Sequence, residues 1–183
     1  MADKTHKTAV VIIPPEGTWA PIQAIREEHD RAFKRWMPHI TLLYPFRPRR
    51  EFDAAAMGLA RVCERIDQFE VTLATFNFFQ HGPESYTLWL ATEPDETVIK
   101  LQTALWAAFP DCDDTRRFEN GFTPHLSVGQ ARGRQQEILQ LIAALGSTWT
   151  PVTFQVTAVS LIWRDDPPND VFRVGQVFAL DTT

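Results

Sequence analysis

The chain has 183 residues, of which 44% are hydrophobic and 22% charged, so disordered, collagenous and coiled-coil proteins are excluded and a globular protein with a sizeable core is favoured. Its 18 Lys and Arg against 23 Asp and Glu give a formal net charge of −5. This charge excludes the broad basic surface of a non-specific nucleic-acid binder, and any contact with nucleic acid must be local.

Helical periodicity marks four segments, and strand-like runs lie between them. In chain order, the apolar residues that share a helix face are Ile22, Ile25, Phe33 and Trp36; then Phe52, Ala55, Ala56, Leu59, Val62, Cys63 and Ile66; then Val98, Leu101, Leu105 and Phe109; then Ile138, Leu141, Ile142 and Leu145. Thr18 is the predicted cap of the first helix, and Gly146 the predicted end of the fourth. Strands are predicted at 9–13, 39–44, 69–79, 86–91, 125–129, 152–163 and 171–180.

The two long strand runs share an unusual pattern, because each alternates with period 2, shifts phase by one residue and then alternates again. The apolar residues Phe69, Val71, Leu73, Phe76 and Phe78 correspond to Val152, Phe154, Val156, Val159 and Leu161, each at an offset of 83 residues (152 − 69 = 83). A shared phase shift, which is typical of a β-bulge or a bend, is harder to obtain by chance than shared alternation. The sequence therefore predicts an internal duplication.

In each repeat a short strand that begins with Pro-His precedes a helix and the long strand. The two histidines are His39 and His125, which are 86 residues apart (125 − 39 = 86). We predict an α+β fold with two lobes related by a pseudo-twofold axis, each with a mainly antiparallel sheet and two helices. Residues 1–183 then form a single bilobal domain, with repeats at approximately 1–91 and 92–183 and a candidate active-site cleft between the lobes.

The short strands carry the residues with the clearest chemistry. Since residues i and i+2 of a strand face the same side, His39 projects with Thr41 and His125 with Ser127. Two opposed imidazoles suit in-line displacement at phosphorus, because one accepts a proton from the attacking water while the other gives one to the leaving oxygen. The two hydroxyls can donate hydrogen bonds to the non-bridging phosphate oxygens.

Other interpretations of the histidines carry less weight. A single His-x-Thr strand is usually structural, but two copies at corresponding places of a duplicated chain favour catalysis. Two histidines without a Glu-x-x-His, a Cys-x-x-Cys or an Asp cluster make a poor metal site. We therefore predict no metal and no cofactor, and we expect His6, His29 and His81 to be surface residues.

The two motifs, Pro-His39-Ile-Thr41-Leu and Pro-His125-Leu-Ser127-Val, resemble those of the 2H phosphoesterase superfamily, which includes 2′-5′ RNA ligase-like and cyclic nucleotide phosphodiesterase proteins. The family pattern is His, apolar, Thr or Ser, apolar, and both copies match it. The resemblance covers nearly the whole chain. It implies a bilobal α+β fold, metal-independent catalysis and opening of a 2′,3′-cyclic phosphate to a 2′-phosphate, with 2′-5′ RNA ligation as the reverse reaction in some members.

Substrate contacts are predicted beside both motifs. Ligase members of the family often carry Arg shortly after the second motif; here Gly129-Gln130 intervene before Arg132, which favours hydrolysis over ligation. After the first motif, Tyr44 offers a ring for a base and Arg47 a guanidinium for a phosphate, the alternative being a core tyrosine and a solvated arginine. Three aromatic residues are candidates either to line the cleft or to pack in the core: Phe79, Trp89 and Trp163.

The predicted function is that of a cyclic phosphodiesterase, a phosphoric diester hydrolase, acting on an RNA end or a nucleotide that carries a cyclic phosphate. Two alternatives stay open: a module that binds a nucleotide or RNA end without catalysis, and a phosphodiesterase acting on ADP-ribose cyclic phosphate. We expect a monomer with no obligate protein partner.

Composition and the N-terminal residues favour a cytoplasmic location. The residues before the first apolar run do not have the hydrophobic stretch of a secretory signal, and no run is long enough to span a membrane. Cys63 and Cys112 are too few for the disulfide framework of a small secreted domain, although one bond between them remains arithmetically possible. A membrane partner is not expected.

Overall fold

The computed structural model describes residues 3–117 and 121–182. These residues form four α-helices: α1 (Trp19–His29), α2 (Phe52–Cys63), α3 (Glu96–Ala108) and α4 (Gln135–Thr148). They form eight strands: β1 (Thr8–Ile12), β2 (Ile40–Leu43), β3 (Phe69–Gly82), β4 (Ser85–Glu93), β5 (His125–Arg132), β6 (Val152–Val156), β7 (Ala158–Trp163) and β8 (Arg173–Ala179). None of the helices in these two ranges is long and apolar enough to cross a membrane.

The eight strands form one antiparallel sheet in the order β6-β3-β4-β5-β2-β1-β7-β8. Only Thr157 separates β6 from β7 in the chain, although the two strands lie near opposite ends of this order. The sheet must therefore curl until its two ends approach each other. The predicted α+β fold with mainly antiparallel strands is confirmed.

The strand pairing follows the predicted pseudo-twofold relationship. Ile40 of β2 pairs with Leu126 of β5, and Val71 of β3 pairs with Phe154 of β6. Both pairs join residues at equivalent positions of the repeat, since 126 − 40 = 86 and 154 − 71 = 83. Equivalent residues can pair with each other only where a twofold axis passes between them, so the axis runs between β2 and β5 and between β3 and β6.

The two lobes take strands from both halves of the chain. One lobe contains β6-β3-β4-β5, with α1 packed on β5 and α4 on β3. The other contains β2-β1-β7-β8, with α2 packed on β8 and on α3, and α3 on β2. Each lobe thus has two helices, as predicted. The predicted boundary between repeats, at residue 91, falls inside β4, and that division of the chain stays a prediction.

The predicted phase shift is present in both long strands. The register of β3 against β4 shifts between Leu73 and Phe76. The corresponding run is interrupted at Thr157, where β6 ends and β7 begins. The first part of each run pairs across the axis with the other run, and this pairing ends at the shift. Beyond it, β3 continues its pairing with β4, and β7 pairs with β1 and β8.

The predicted first helix was too long. The helix α1 ends at His29, and Phe33 and Trp36, which were expected on its apolar face, lie beyond it. Asp30 adopts an extended conformation, and its Oδ1 accepts the backbone N–H of Ala32 at 2.8 Å, which offers the chain a turn in place of another helical bond.

Two predicted helix ends also differ. Thr18 occupies the N-cap position of α1, as predicted, but its side chain makes no capping hydrogen bond and its hydroxyl donates to the carbonyl of Pro15 at 2.7 Å. The helix α4 continues through Gly146 to Thr148. Gly146 has no positive φ, and therefore it does not act as a left-handed stop.

The sheet has a main core on one face and a smaller apolar cluster on the other. Ile40 and Leu126 belong to the main core, which also contains Cys63 and Cys112 as buried free thiols. The smaller cluster contains Ala9, Val11, Ile162 and Phe172, with Trp36 and Tyr44 packed against it. Val11 pairs with Thr41, so this cluster shares the sheet face of the candidate catalytic residues.

Candidate active site

The strands β2 and β5 bring both His-x-Thr/Ser motifs together at the centre of the sheet. Ile40 and Leu126 pair and face the main core, and the residues on either side of them therefore face the other way. In this antiparallel register His39 lies opposite Ser127 and Thr41 lies opposite His125, since 39 + 127 = 41 + 125 = 40 + 126. The four predicted catalytic residues thus form one group.

Both imidazoles are held by the same kind of hydrogen bond. Nδ1 of His39 lies 2.7 Å from the carbonyl oxygen of Met37, and Nδ1 of His125 lies 2.8 Å from that of Thr123. A carbonyl oxygen only accepts, so each Nδ1 carries the hydrogen and donates it. In each neutral ring Nε2 is then the atom that can accept a proton from a bound ligand or water.

The rings that surround the two histidines differ. The indole of Trp36 stacks on His39 with 4.6 Å between the ring centroids, and Phe172 stacks on Trp36 at 3.6 Å. Phe79 meets the ring of His125 edge-on at 4.9 Å, and Trp89 lies 5.6 Å from it. Each imidazole is therefore fixed by aromatic packing as well as by its hydrogen bond.

These surroundings favour the neutral form of both imidazoles. Burial lowers the pKa of His39 to about 4, with smaller contributions in the same direction from Arg26 and His125, while the Met37 carbonyl and Asp30 act in the opposite direction. Burial also lowers the pKa of His125, against the effect of the Thr123 carbonyl.

A cavity of about 430 Å³ opens beside the second motif, large enough for a nucleotide. Its polar lining includes Thr41, His125 and Ser127, and its apolar lining includes Phe79 and Phe122. The site thus combines hydroxyl donors, an imidazole and aromatic surface in one concave space.

The three predicted substrate-binding residues lie outside the lining of this cavity. Arg47 forms a bidentate ion pair with Asp111, at 2.7 and 2.6 Å, and only 11% of its side chain is exposed. Tyr44 donates to the carbonyl of His6 at 3.2 Å, and Arg132 is exposed at the end of β5. Their contact with substrate stays a prediction, and for Arg47 it would require separation from Asp111.

The aromatic candidates divide between the two faces of the sheet. Phe79 lines the cavity, and Trp89 stacks on it at 4.8 Å. Trp163 packs against the main core instead, with the Arg49 guanidinium 3.7 Å from its ring centroid. Trp163 and Arg49 border a second hollow, of about 390 Å³, that contains none of the motif residues.

His81 and Thr87 are cavity residues that the sequence did not single out. His81 is exposed, as predicted, but its Nε2 lies 2.9 Å from Oγ1 of Thr87, and both residues line the cavity. Period 2 along β3 places His81 on the same face as Phe79, which is the one signal that was available. Within residues 3–117 and 121–182, no three His, Cys, Asp or Glu side chains are grouped as metal ligands would be.

Comparison with known proteins assigns the family. A family model of the 2′-5′ RNA ligase superfamily matches residues 14–168. The chain belongs to this superfamily. A Geobacillus kaustophilus protein, GK0864, named as an inferred phosphoesterase, is 27% identical over 129 residues, which are 68% of this chain and 69% of that protein. The superfamily is one of phosphoesterases, as the histidine motifs predicted.

Solved structures of other proteins share the fold of this 2′-5′ RNA ligase superfamily member. Escherichia coli LigT without ligand has a TM-score of 0.66 and 17% identity, over 99% of this chain and all (100%) of that one. TT0787 of Thermus thermophilus has a TM-score of 0.65 and 16% identity, over 96% of this chain and 98% of that one. LigT in complex with 3′-AMP has a TM-score of 0.65 and 17% identity, over 96% and 98% of the two chains.

Proposed function

We propose that this superfamily member is a metal-independent phosphodiesterase that hydrolyses 2′,3′-cyclic phosphates of nucleotides or RNA ends to 2′-phosphates. The observation that carries the proposal is the matched arrangement of His39 and His125. Each ring donates from Nδ1 to a carbonyl two residues earlier, so each has Nε2 available, and the two strands meet at the Ile40–Leu126 pair. The 3′-AMP bound to LigT, a protein of the same fold, supports a nucleotide as the ligand.

The reaction needs two proton transfers, and the site has one imidazole for each. Neutral Nε2 of one histidine accepts a proton from water as the water oxygen attacks phosphorus. The bond from phosphorus to O3′ breaks, and O3′ takes a proton from Nε2 of the other histidine, which enters the step as imidazolium. The products are a 2′-phosphate monoester and a free 3′-hydroxyl.

The hydroxyls of Thr41 and Ser127 complete the site in this proposal. Each lies opposite a histidine in the β2–β5 register and lines the cavity. They donate to the non-bridging phosphate oxygens, where negative charge grows as the water attacks. The anionic phosphate in turn raises the pKa of both imidazoles, and this allows one of them to be protonated in the complex.

The test is the rate of 2′,3′-cyclic nucleotide hydrolysis by His39→Ala and His125→Ala. We expect each variant to lose ~10²- to 10⁴-fold in kcat, the usual contribution of general acid or base catalysis. His6→Ala, which replaces an exposed histidine that contacts Tyr44, is the matched control and should keep the wild-type rate. Full activity in a folded His39→Ala, His125→Ala double variant contradicts the proposal.

Two related functions are separated by a panel of substrates and products. A binding module would hold 2′,3′-cyclic nucleotides tightly and release no product after long incubation. An enzyme for ADP-ribose cyclic phosphate would show its highest kcat/KM with that compound rather than with nucleotides or oligonucleotide ends. Ligation requires the 5′-hydroxyl of a second RNA in place of water, and a 2′-5′-linked product in the same assay would reveal it.

A further inference from the structure

A buried ion pair lies between α1 and the first histidine motif. Arg26 and Asp30 are one helical turn apart, and their side chains are only 2% and 4% exposed. Nε and Nη2 of Arg26 lie 3.0 and 2.9 Å from Oδ2 of Asp30. A buried ion pair is often no more stabilising than apolar residues of the same size, so its value must lie in what the pair holds in place.

Besides its bonds to Gln23 and to the backbone of Ala32, the pair forms one hydrogen bond toward each histidine motif. Nη2 of Arg26 donates to the carbonyl of Trp36 at 2.9 Å, and Trp36 is the residue whose ring stacks on His39. Oδ1 of Asp30 accepts from Nε2 of Gln130 at 3.0 Å, and Oε1 of Gln130 accepts the backbone N–H of Arg31 at 3.2 Å. A continuous set of contacts therefore joins the strand of His125 to the ring of His39.

Gly129 sets the distance over which these contacts form. A Cβ on Gly129 would lie 2.5 Å from Cβ of His29 and 2.8 Å from its carbonyl oxygen, so the end of α1 lies directly on β5. This contact explains why a glycine, Gly129, follows the second motif here. Among the residues that the structure describes, β2 and β5 pair at Ile40–Leu126 alone. The ion pair adds a second connection between the two motifs.

We propose that Arg26, Asp30 and Gln130 are positioning residues that fix the imidazole of His39 relative to the strand of His125. They act through Trp36, which stacks on the ring, and through the following residue Met37, whose carbonyl holds Nδ1. The inference rests on the proposed function, because it assigns these residues to the same reaction. It does not depend on where the substrate binds.

The first test removes both charges at once, in an Arg26→Met, Asp30→Leu double variant that leaves no unpaired buried ion. We expect kcat to fall about 10- to 100-fold while KM changes less than about threefold. The melting temperature should fall by a few degrees, because the backbone N–H of Ala32 loses its acceptor on Asp30. The matched control makes the same substitutions at the half-exposed pair Arg173–Asp165 and should keep the wild-type kcat. Wild-type kcat in the folded Arg26→Met, Asp30→Leu variant overturns the proposal.

The second variant, Gln130→Met, keeps the ion pair and removes only the link to β5. Gln130 is half-buried, so this chain should fold even where the double variant does not. We expect kcat to fall about tenfold with little change in KM. Wild-type kcat in this variant shows that the link to β5 does not position His39, and it overturns that part of the proposal.

A readout without turnover separates this inference from the proposed function. Ring ¹⁵N shifts should report the Nδ1–H tautomer for both histidines in the wild type, and a mixture of tautomers for His39 alone in the two positioning variants. The same shift change in a protein that turns over no cyclic phosphate means that the proposed function fails while the positioning role stands. Unchanged His39 shifts together with unchanged kcat overturn the positioning role alone.

Discussion

At the scale of single residues, the two candidate catalytic histidines have the same hydrogen bond and different neighbours. Period 2 in a strand was enough to predict that His39 projects with Thr41 and His125 with Ser127. The stacking of Trp36 on His39 could not be predicted, because the indole reaches the imidazole only when α1 ends at His29. The local pattern instead favoured a longer helix, and the turn made by Asp30 overrides it.

The lowered pKa values of both imidazoles predict an acidic optimum for the free enzyme. In the proposed mechanism the active form carries one proton on the pair, so the profile of kcat/KM against pH should be a bell centred between the two apparent pKa values. Since burial lowers the pKa of His39 to about 4 and also lowers that of His125, the centre should lie below pH 6.5. Bound phosphate favours imidazolium, so the optimum of kcat should lie at higher pH than that of kcat/KM.

Initial rates between pH 4 and 9, at saturating and at low concentrations of cyclic nucleotide, measure both profiles. An optimum of kcat/KM at or above pH 6.5 would mean that the pKa values of the imidazoles are not lowered as the structure indicates. A kcat optimum at lower pH than that of kcat/KM would contradict the effect assigned to the bound phosphate.

At the scale of elements, the close contact between α1 and β5 is the feature that sequence reasoning missed. The strand β5 and the core of α1 were both predicted from their periodicity. Their packing joins residues about a hundred positions apart in the chain, so no local pattern marks it. Gly129 was noticed only as a departure from the family pattern, and the structure shows what it does: it lets the backbone of β5 approach His29.

Alanine substitutions should have opposite effects at a glycine in this contact and at a glycine that faces open space. Gly129→Ala forces a Cβ within 2.5 Å of His29 and should lower the free energy of unfolding by roughly 1–3 kcal/mol, with a loss of kcat as α1 moves. Gly146 lies inside α4, and a Cβ added there would have no neighbouring atom within 4 Å. Gly146→Ala should therefore raise the free energy of unfolding by about 0.5–1 kcal/mol. Urea unfolding of both variants is the measurement, and equal stability of the two contradicts the packing described here.

At the scale of the whole molecule, a repeat that was visible in the sequence becomes a curled sheet with two interleaved lobes. The offset of 83 residues predicted the pseudo-twofold relationship, and the pairing of Val71 with Phe154 agrees with it. The exchange of strands between lobes could not be predicted, because alternation gives the faces of a strand and not its neighbours. The net charge of −5 fits a molecule that contacts phosphate only locally.

Local contact with phosphate predicts a weak dependence of RNA binding on salt. Each phosphate neutralised on a single strand adds about −0.7 to the slope of log K against log salt. For one or two contacted phosphates we expect a slope between about −0.7 and −1.4 for an oligonucleotide with a 2′,3′-cyclic end, measured with His125→Ala to prevent turnover. A slope steeper than about −3 would require a basic surface that the charge of the chain does not provide.

The most direct test of the account is the product formed from 2′,3′-cyclic AMP in the presence of excess EDTA, followed by ³¹P NMR. Two histidines acting as acid and base on the P–O3′ bond predict 2′-AMP as the product, formed at the same rate with and without the chelator. Formation of 3′-AMP would contradict the proposed bond cleavage. Turnover that stops in EDTA and returns with a divalent ion would contradict catalysis by His39 and His125 alone.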